Sequence, residues 1–150
     1  MQYWVWLSLL KGVGPVTQKR LLDYFGDAES IYNASKPELI KVTGVGDSLS
    51  ETIKSTSLEE AKRTLENANK LNIKILTYDD YLYNIKAKLS PHSPAVLYYR
   101  GNLLPDSIGV GVIGARRCTD YGKEVVKEVA EYLANEKIPV ISGMAKGIDS

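Results

Sequence analysis

Glycine and basic residues occur together twice in the last third of the 150-residue chain, at 114–117 and at 143–147, in a pattern suited to holding an anion. Glycines let backbone N–H groups approach an anion closely, and helix N-termini add partial positive charge. An arginine guanidinium adds a planar fork of donors that matches phosphate oxygens. We therefore predict a phosphate-binding crevice formed by Gly114, Arg116, Arg117, Gly143, Lys146 and Gly147.

Two strands and an intervening helix must position these residues. The apolar run 107–113 suits a buried parallel strand, the segment 121–135 has its valines at helical spacing, and 138–141 is a second short strand. The order strand, helix, strand predicts a parallel pair with a right-handed crossover. Because ligands bind where the carboxyl ends of parallel strands meet, the segments 114–120 and 142–149 should face one another.

A dinucleotide site is the competing interpretation of the glycines. Gly109, Gly111 and Gly114 have the spacing G-x-G-x-x-G, but the first two fall inside the predicted strand, too early to cradle a pyrophosphate. The second strand also lacks a closing acidic residue for the ribose hydroxyls. The sequence favours an anion crevice without a bound cofactor, and we predict no catalytic residue.

Three other residues have side chains capable of chemistry. Asp149 is either a general acid or base at the crevice or, more simply, an acid that holds the glycine loop by hydrogen bonds; we prefer the second role. Cys118 follows two arginines, but the sequence places no resolving cysteine or base beside it. His92 lies alone in a proline-bracketed loop.

The composition is that of a globular protein and excludes several classes. The formal net charge is +1, with one cysteine and one histidine in the chain. A disulfide framework and a Cys/His metal cage are therefore excluded, and we predict a reducing, cytoplasmic location. The apolar segment 1–10 meets Lys11 well short of the roughly 20 residues that a membrane span needs, and it lacks the basic start of a signal peptide.

The first 70 residues contain an internal repeat. Gly-Val-Gly occurs at 12–14 and again at 44–46, each time between helical patterns. Such turns resemble helix-hairpin-helix motifs, whose amides grip a nucleic-acid phosphate; alternatively the glycines serve only helix packing. Nine basic and nine acidic residues in 1–70 do not decide between these roles. Capping-box spacing predicts helix starts at Ser35 with Glu38, Ser48 with Glu51 and Ser57 with Glu60.

Between these regions lie two β-type runs, 73–77 and 95–100, joined by a tyrosine-rich loop. Exposed rings in this region would stack on bases. Packing in a core or at a domain junction is the alternative, and we prefer it because the second run places adjacent tyrosines on opposite faces of a strand.

The segments 113–117 and 140–149 resemble two characteristic motifs of the DNA-processing protein A family, DprA, also called Smf. That family has a Gly-Ser/Thr-Arg turn and a Ser-Gly-x-Ala-x-Gly-Ile-Asp loop; this chain has Gly-Ala-Arg and Ser-Gly-Met-Ala-Lys-Gly-Ile-Asp in the same order. A Pro-x-Val-Leu-Tyr-x-x-Gly segment at 94–101 agrees as well. Two departures are Ala115 in place of the usual Ser or Thr and Leu82 where Tyr-Pro is usual.

The resemblance implies an α/β fold in three parts. A helical SAM-like or helix-hairpin-helix domain would span 1–70, a linker and β extension 71–107, and the first βαβ part of a Rossmann-like DNA-binding domain 108–150. We expect the chain to be the front part of a longer protein, so that the Rossmann-like sheet is truncated. The motifs also add Ala115, through its backbone amide, and Ser142 to the predicted phosphate site.

The function implied by the resemblance is binding of single-stranded DNA without sequence preference. Proteins of this family load RecA recombinase on strands taken up in natural transformation, catalyse no known reaction, and would form a homodimer at full length. Two alternatives stay open. One is a nucleotide-binding Rossmann enzyme of the phosphoribohydrolase type, and the other is a protein-interaction module formed by residues 1–70.

Overall fold

The computed structural model describes residues 1–103 and 108–150, which belong to two compact units, Met1–Pro105 and Asp106–Ser150. The N-terminal unit contains α1 (Gln2–Leu9), α2 (Pro15–Phe25), α3 (Ala28–Asn33), α4 (Lys36–Leu39), α5 (Asp47–Ser55), α6 (Glu59–Lys70), β1 (Lys74–Thr77), α7 (Ile85–Lys88) and β2 (Val96–Tyr99). The C-terminal unit contains β3 (Val110–Gly111), α8 (Asp120–Asn135) and β4 (Val140–Ile141). Across the two described ranges, no helix combines the length and apolar character needed to cross a bilayer.

Helix α1 is the centre of the N-terminal unit. It is apolar on all sides, and it packs against α3, α6 and β2. Trp6 is 1% exposed, and its indole Nε1 donates a hydrogen bond to the Thr56 carbonyl at 2.9 Å. That bond satisfies the one polar atom of a side chain that otherwise contributes only buried apolar area. The apolar segment at the start of the chain is therefore a core helix, as its composition predicts.

The two Gly-Val-Gly turns have the same backbone conformation. The first glycine of each has positive φ, 78° at Gly12 and 91° at Gly44, which a residue with a Cβ adopts only at a cost. Each valine is buried, and the final glycine of each turn is the extended N-cap of the next helix. The sequence repeat is thus a structural repeat, in which each turn leads into an α-helix.

One buried polar side chain distinguishes the two hairpins. Gln18 is 5% exposed, and its Nε2 donates to the carbonyls of Leu7 at 3.1 Å and Val13 at 2.9 Å. These bonds tie α2 to the end of α1 and to the turn itself. Ser50 lies at the corresponding position of the second hairpin, but its hydroxyl donates to Asp47 within its own helix. Only the first hairpin is closed by a long side chain at this position.

One of the three predicted capping boxes forms. The Glu38 carboxylate accepts hydrogen bonds from the hydroxyl and the N–H of Ser35, and these bonds hold the pKa of Glu38 below its ordinary value. The other two predicted boxes are wrong. Helix α5 begins before Ser48, because the hairpin glycine already caps it, and Ser57 precedes the N-cap of α6 by one residue.

Strands β1 and β2 form an antiparallel pair in which Lys74 lies opposite Tyr99. The tyrosines near this pair divide into two groups. Tyr83 is buried, its hydroxyl donates to the Pro94 carbonyl at 2.8 Å, and burial raises the pKa of its phenol. Its ring lies 5.3 Å from that of Tyr78. Packing therefore accounts for these two rings, whereas Tyr81 is largely exposed.

The C-terminal unit is a βαβ unit, as predicted. Strands β3 and β4 are parallel, with Val110 opposite Val140 and Gly111 opposite Ile141, and α8 connects them. The strands are shorter and more exposed than a buried parallel strand would be, since Val110 is 42% and Ile141 58% exposed. Parallel sheets normally bury both faces, and within the described part of this unit α8 is the one helix that packs on the pair.

Serine should have different effects on the free energy of unfolding at the two glycines of the first hairpin. Gly12→Ser should lower the free energy of unfolding by about 1–2 kcal/mol, because serine must adopt a positive φ there. Gly14→Ser is the matched control. The N-cap conformation at Gly14 is extended, and no atom lies within 4 Å of an added Cβ, so this variant should be at least as stable as the parent. Urea unfolding of the two variants measures the difference, and equal losses of stability would contradict this account of the turn.

Candidate phosphate-binding site

The site lies where β3 and β4 end, because their parallel register brings the two following loops to the same edge. The Val112 N–H donates to the Ile141 carbonyl at 2.9 Å, which continues the pairing just past the strands. Further on, the Ile148 N–H donates to the Ala115 carbonyl at 3.3 Å. The loop after β3 (residues 112–119) and the loop after β4 (residues 142–150) are therefore in direct contact, through backbone atoms of both.

Glycine is required where these loops touch. Gly147 has φ 105°, and a Cβ there would lie 2.3 Å from the Ala115 carbonyl oxygen and 2.8 Å from the Arg116 Cα. Gly114 is equally restricted, because a Cβ would lie 2.7 Å from the Cβ of Ile148. Each glycine is thus a point at which one loop fits against the other. Any side chain at either position would push the loops apart.

Asp149 links the ends of both strands. Its Oδ1 accepts a hydrogen bond from the Gly114 N–H at 3.0 Å, and its backbone carbonyl accepts from the Ser142 hydroxyl at 2.9 Å. A Cβ on Gly143 would lie 3.2 Å from Oδ2, so the carboxylate is close to both glycine turns. In this geometry the Asp149 carboxylate is used to hold loop backbone, and its negative charge is directed to the Gly114 amide.

The two loops and the start of α8 border a basic cavity of about 540 Å³ that is open to solvent. Among the residues that the structure describes, four basic side chains line this cavity and no Asp or Glu side chain does. The cations come from both loops and from the helix, so no single segment of the chain contains the site. The residues that line this basic cavity are Arg116, Arg117, Cys118, Lys123, Lys146, Gly147 and Ser150. Within residues 1–103 and 108–150, no three His, Cys, Asp or Glu side chains come together in a way that could hold a metal ion.

The predicted site residues divide by position. Arg116, Arg117, Lys146 and Gly147 are brought together around the basic cavity. Ser142 lines a neighbouring cavity instead. Three further predicted residues line neither cavity. One of them, Gly114, is held by the hydrogen bond that its N–H donates to the Asp149 carboxylate. These three are Gly114, Ala115 and Gly143.

Sequence reasoning missed Lys123. This lysine lies in the first turns of α8, outside both glycine loops, and its Nζ forms an ion pair with the Asp120 carboxylate at 2.9 Å. Both side chains are mostly exposed, so the pair is weak and Lys123 can exchange its partner for an anion. The signal that would have found it is the short distance in sequence between the arginines and the predicted helix start.

A second, mainly apolar cavity of about 440 Å³ adjoins the basic cavity. Its walls include Val112, Val126 and Ile148, between α8 and the strand pair. The two cavities share Lys123, Gly147 and Ser150. A basic space thus opens beside a space whose walls are mainly apolar but also include Lys127 and Asp149.

Comparison with known proteins gives two family matches. The family described as DNA recombination-mediator protein A matches residues 74–150, and the SAM-like helix-hairpin-helix tandem matches residues 7–57. The chain is 34% identical to protein Smf of Synechocystis sp. over 158 aligned residues, covering 99% of this chain and 39% of that protein. It is 35% identical to DNA processing protein DprA of Bacillus subtilis over 71 residues, 46% of this chain and 23% of that protein.

The fold also matches a solved structure. The X-ray structure of DNA processing protein A (DprA) from Streptococcus pneumoniae superposes with a TM-score of 0.75 at 21% sequence identity, covering 99% of this chain and 51% of that one. This likeness confirms the predicted α/β fold with a helix-hairpin-helix N-terminal region. The chain spans about half or less of the length of these relatives.

The contact between the loops predicts the effect of removing Gly147. Gly147→Ala should separate the loops, because its Cβ would overlap the Ala115 carbonyl oxygen. We expect the amides of Gly114 and Ile148 to exchange hydrogen faster, by about tenfold for each 1.4 kcal/mol of lost stability.

Gly111→Ala is the control for that experiment, since no atom lies within 4 Å of an added Cβ at this strand position. In the Gly111→Ala variant, the amides of both loops should exchange hydrogen at the rates of the parent chain. If Gly147→Ala also left both amides protected, the loops would not depend on this glycine.

Proposed function

Because the chain belongs to the DNA recombination-mediator protein A family, we propose that it binds single-stranded DNA through phosphates held at the basic cavity. The observation that carries the proposal is the set of four cations from three segments around a space that, within residues 1–103 and 108–150, no Asp or Glu side chain lines. Backbone phosphates are common to every sequence, so contacts of this kind position a strand without reading its bases. Binding would therefore be independent of sequence.

The loop geometry supports binding rather than catalysis at this site. Asp149 is the acidic residue closest to the crevice in sequence; its carboxylate accepts the Gly114 N–H, and the residue lines the adjoining cavity and not the basic one. A general acid or base must reach the proton that it transfers. We accordingly assign Asp149 a loop-stabilising role and propose no catalytic residue, metal or cofactor.

The wider role follows from the family. We propose that the protein acts in the cytoplasm on DNA taken up in natural transformation, loading RecA recombinase on the bound strand, and that at full length it is a homodimer. RecA assembly on oligo-dT coated with single-strand-binding protein tests this step. The chain, or a version extended to the length of its relatives, should shorten the lag before RecA hydrolyses ATP, and an unchanged lag for both would contradict the loading role.

Phosphate binding at the cavity predicts a loss of both affinity and salt dependence in one variant. Arg116→Ala should weaken binding to an unphosphorylated oligo-dT by at least about tenfold, because a charge-assisted hydrogen bond contributes roughly 1.5–3 kcal/mol. The slope of log affinity against log salt should fall by about 0.7, the value for one phosphate of a single strand. Fluorescence anisotropy over about 50–200 mM salt measures both quantities.

Arg63→Ala is the matched control. Arg63 lies on α6 and lines a different cavity together with Glu59 and Glu60, so its charge is offset locally. Affinity and slope should stay at the parent values in this variant. An Arg116→Ala chain that kept both would show that the DNA site lies elsewhere.

A further inference from the structure

The charge around the basic cavity exceeds what one internal phosphate of a DNA strand requires. Arg116, Arg117, Lys123 and Lys146 line the same space, and in the described part of the chain no Asp or Glu side chain lines it. An internal phosphodiester carries one negative charge, whereas a phosphate monoester carries about −1.5 to −2 near neutral pH and presents three acceptor oxygens. Even with Lys123 paired to Asp120 at 2.9 Å, three other cations line the same space, and the monoester matches their charge better than the diester does.

The size and surroundings of the basic cavity favour a single nucleotide. Its volume of about 540 Å³ falls within the range of about 300–1,000 Å³ typical of small-molecule sites. The adjoining apolar cavity of about 440 Å³ shares Lys123 and Gly147 with it. A phosphate in the first space therefore has room for its own sugar or base in the second, against Val126 and Ile148.

We propose that this site prefers the terminal phosphate monoester of a single DNA strand to the internal phosphodiesters, with the terminal nucleoside in the apolar cavity. The proposal rests on the DNA-binding function given above. Lys123 is the specificity-determining residue, because its Asp120 partner does not line the cavity and a second ligand charge offers the lysine a stronger partner.

The test compares three oligo-dT ligands of one length that differ only at the 5′ end, which carries a hydroxyl, a phosphate or a methyl phosphate. The phosphate should bind about fivefold more tightly than the hydroxyl, equivalent to about 1 kcal/mol. The methyl phosphate is a diester that keeps one negative charge and resembles an internal phosphate, so it should bind more weakly than the phosphate monoester. Lys123→Gln should weaken binding of the phosphorylated strand more than that of the hydroxyl strand, so the ratio of their affinities falls toward one.

Lys137→Gln is the matched control, because Lys137 follows α8 and lines neither cavity. It should keep the parent ratio. A 3′-phosphorylated strand that gained as much affinity as the 5′-phosphorylated one would support a monoester site that accepts either end.

Three results would overturn the inference in distinguishable ways. Equal binding of all three strands, with the Arg116→Ala effect intact, would remove end recognition and leave the proposed DNA binding standing. No binding of any strand would remove both. Competition by free thymidine monophosphate as strong as that by the phosphorylated strand would show that the ligand is a nucleotide and not a strand end.

Discussion

The close contact between the loops after β3 and β4 is the constraint on which the candidate site depends. Gly147 brings the backbone of one loop against Ala115 and Arg116 of the other, and the Asp149 carboxylate holds the Gly114 amide. Because these contacts involve backbone atoms and one short side chain, they leave the long basic side chains free to point into the cavity. The basic side chains also avoid the free-energy cost of burying an unpaired charge, because they remain exposed to water.

The N-terminal unit uses glycine for a different purpose. Its two turns require positive φ so that each can reverse direction within a few residues and still present a buried valine to the core. The position equivalent to Gln18 holds Ser50 in the second hairpin, so the hairpins share backbone shape but not the bonds that close them. The family match to a helix-hairpin-helix tandem agrees with this shape, and the glycine turns account for it without any ligand.

Several elements were predictable because the pattern that indicates them is local. The hairpin glycines, the valine spacing of α8 and the strand on either side of it are each visible within a few residues. The exact starts of α5 and α6 were not, since the N-cap depends on the preceding turn and not only on a serine followed by a glutamate. The exposure of Val110 and Ile141 could not be predicted from the sequence either, because burial of a strand depends on what else packs on the sheet.

The sequence by itself determined which residues bear charge, where the chain turns and which family it resembles, because side-chain type and glycine spacing are properties of short segments. The tertiary structure alone decided that Lys123 joins Arg116, Arg117 and Lys146 around one space, and that Asp149 does not. The net charge of the chain gave no indication of this site, because acidic residues on α8 offset the cations of the site in any count along the sequence. Coulomb interactions depend on distance in space, which folding sets and sequence order does not.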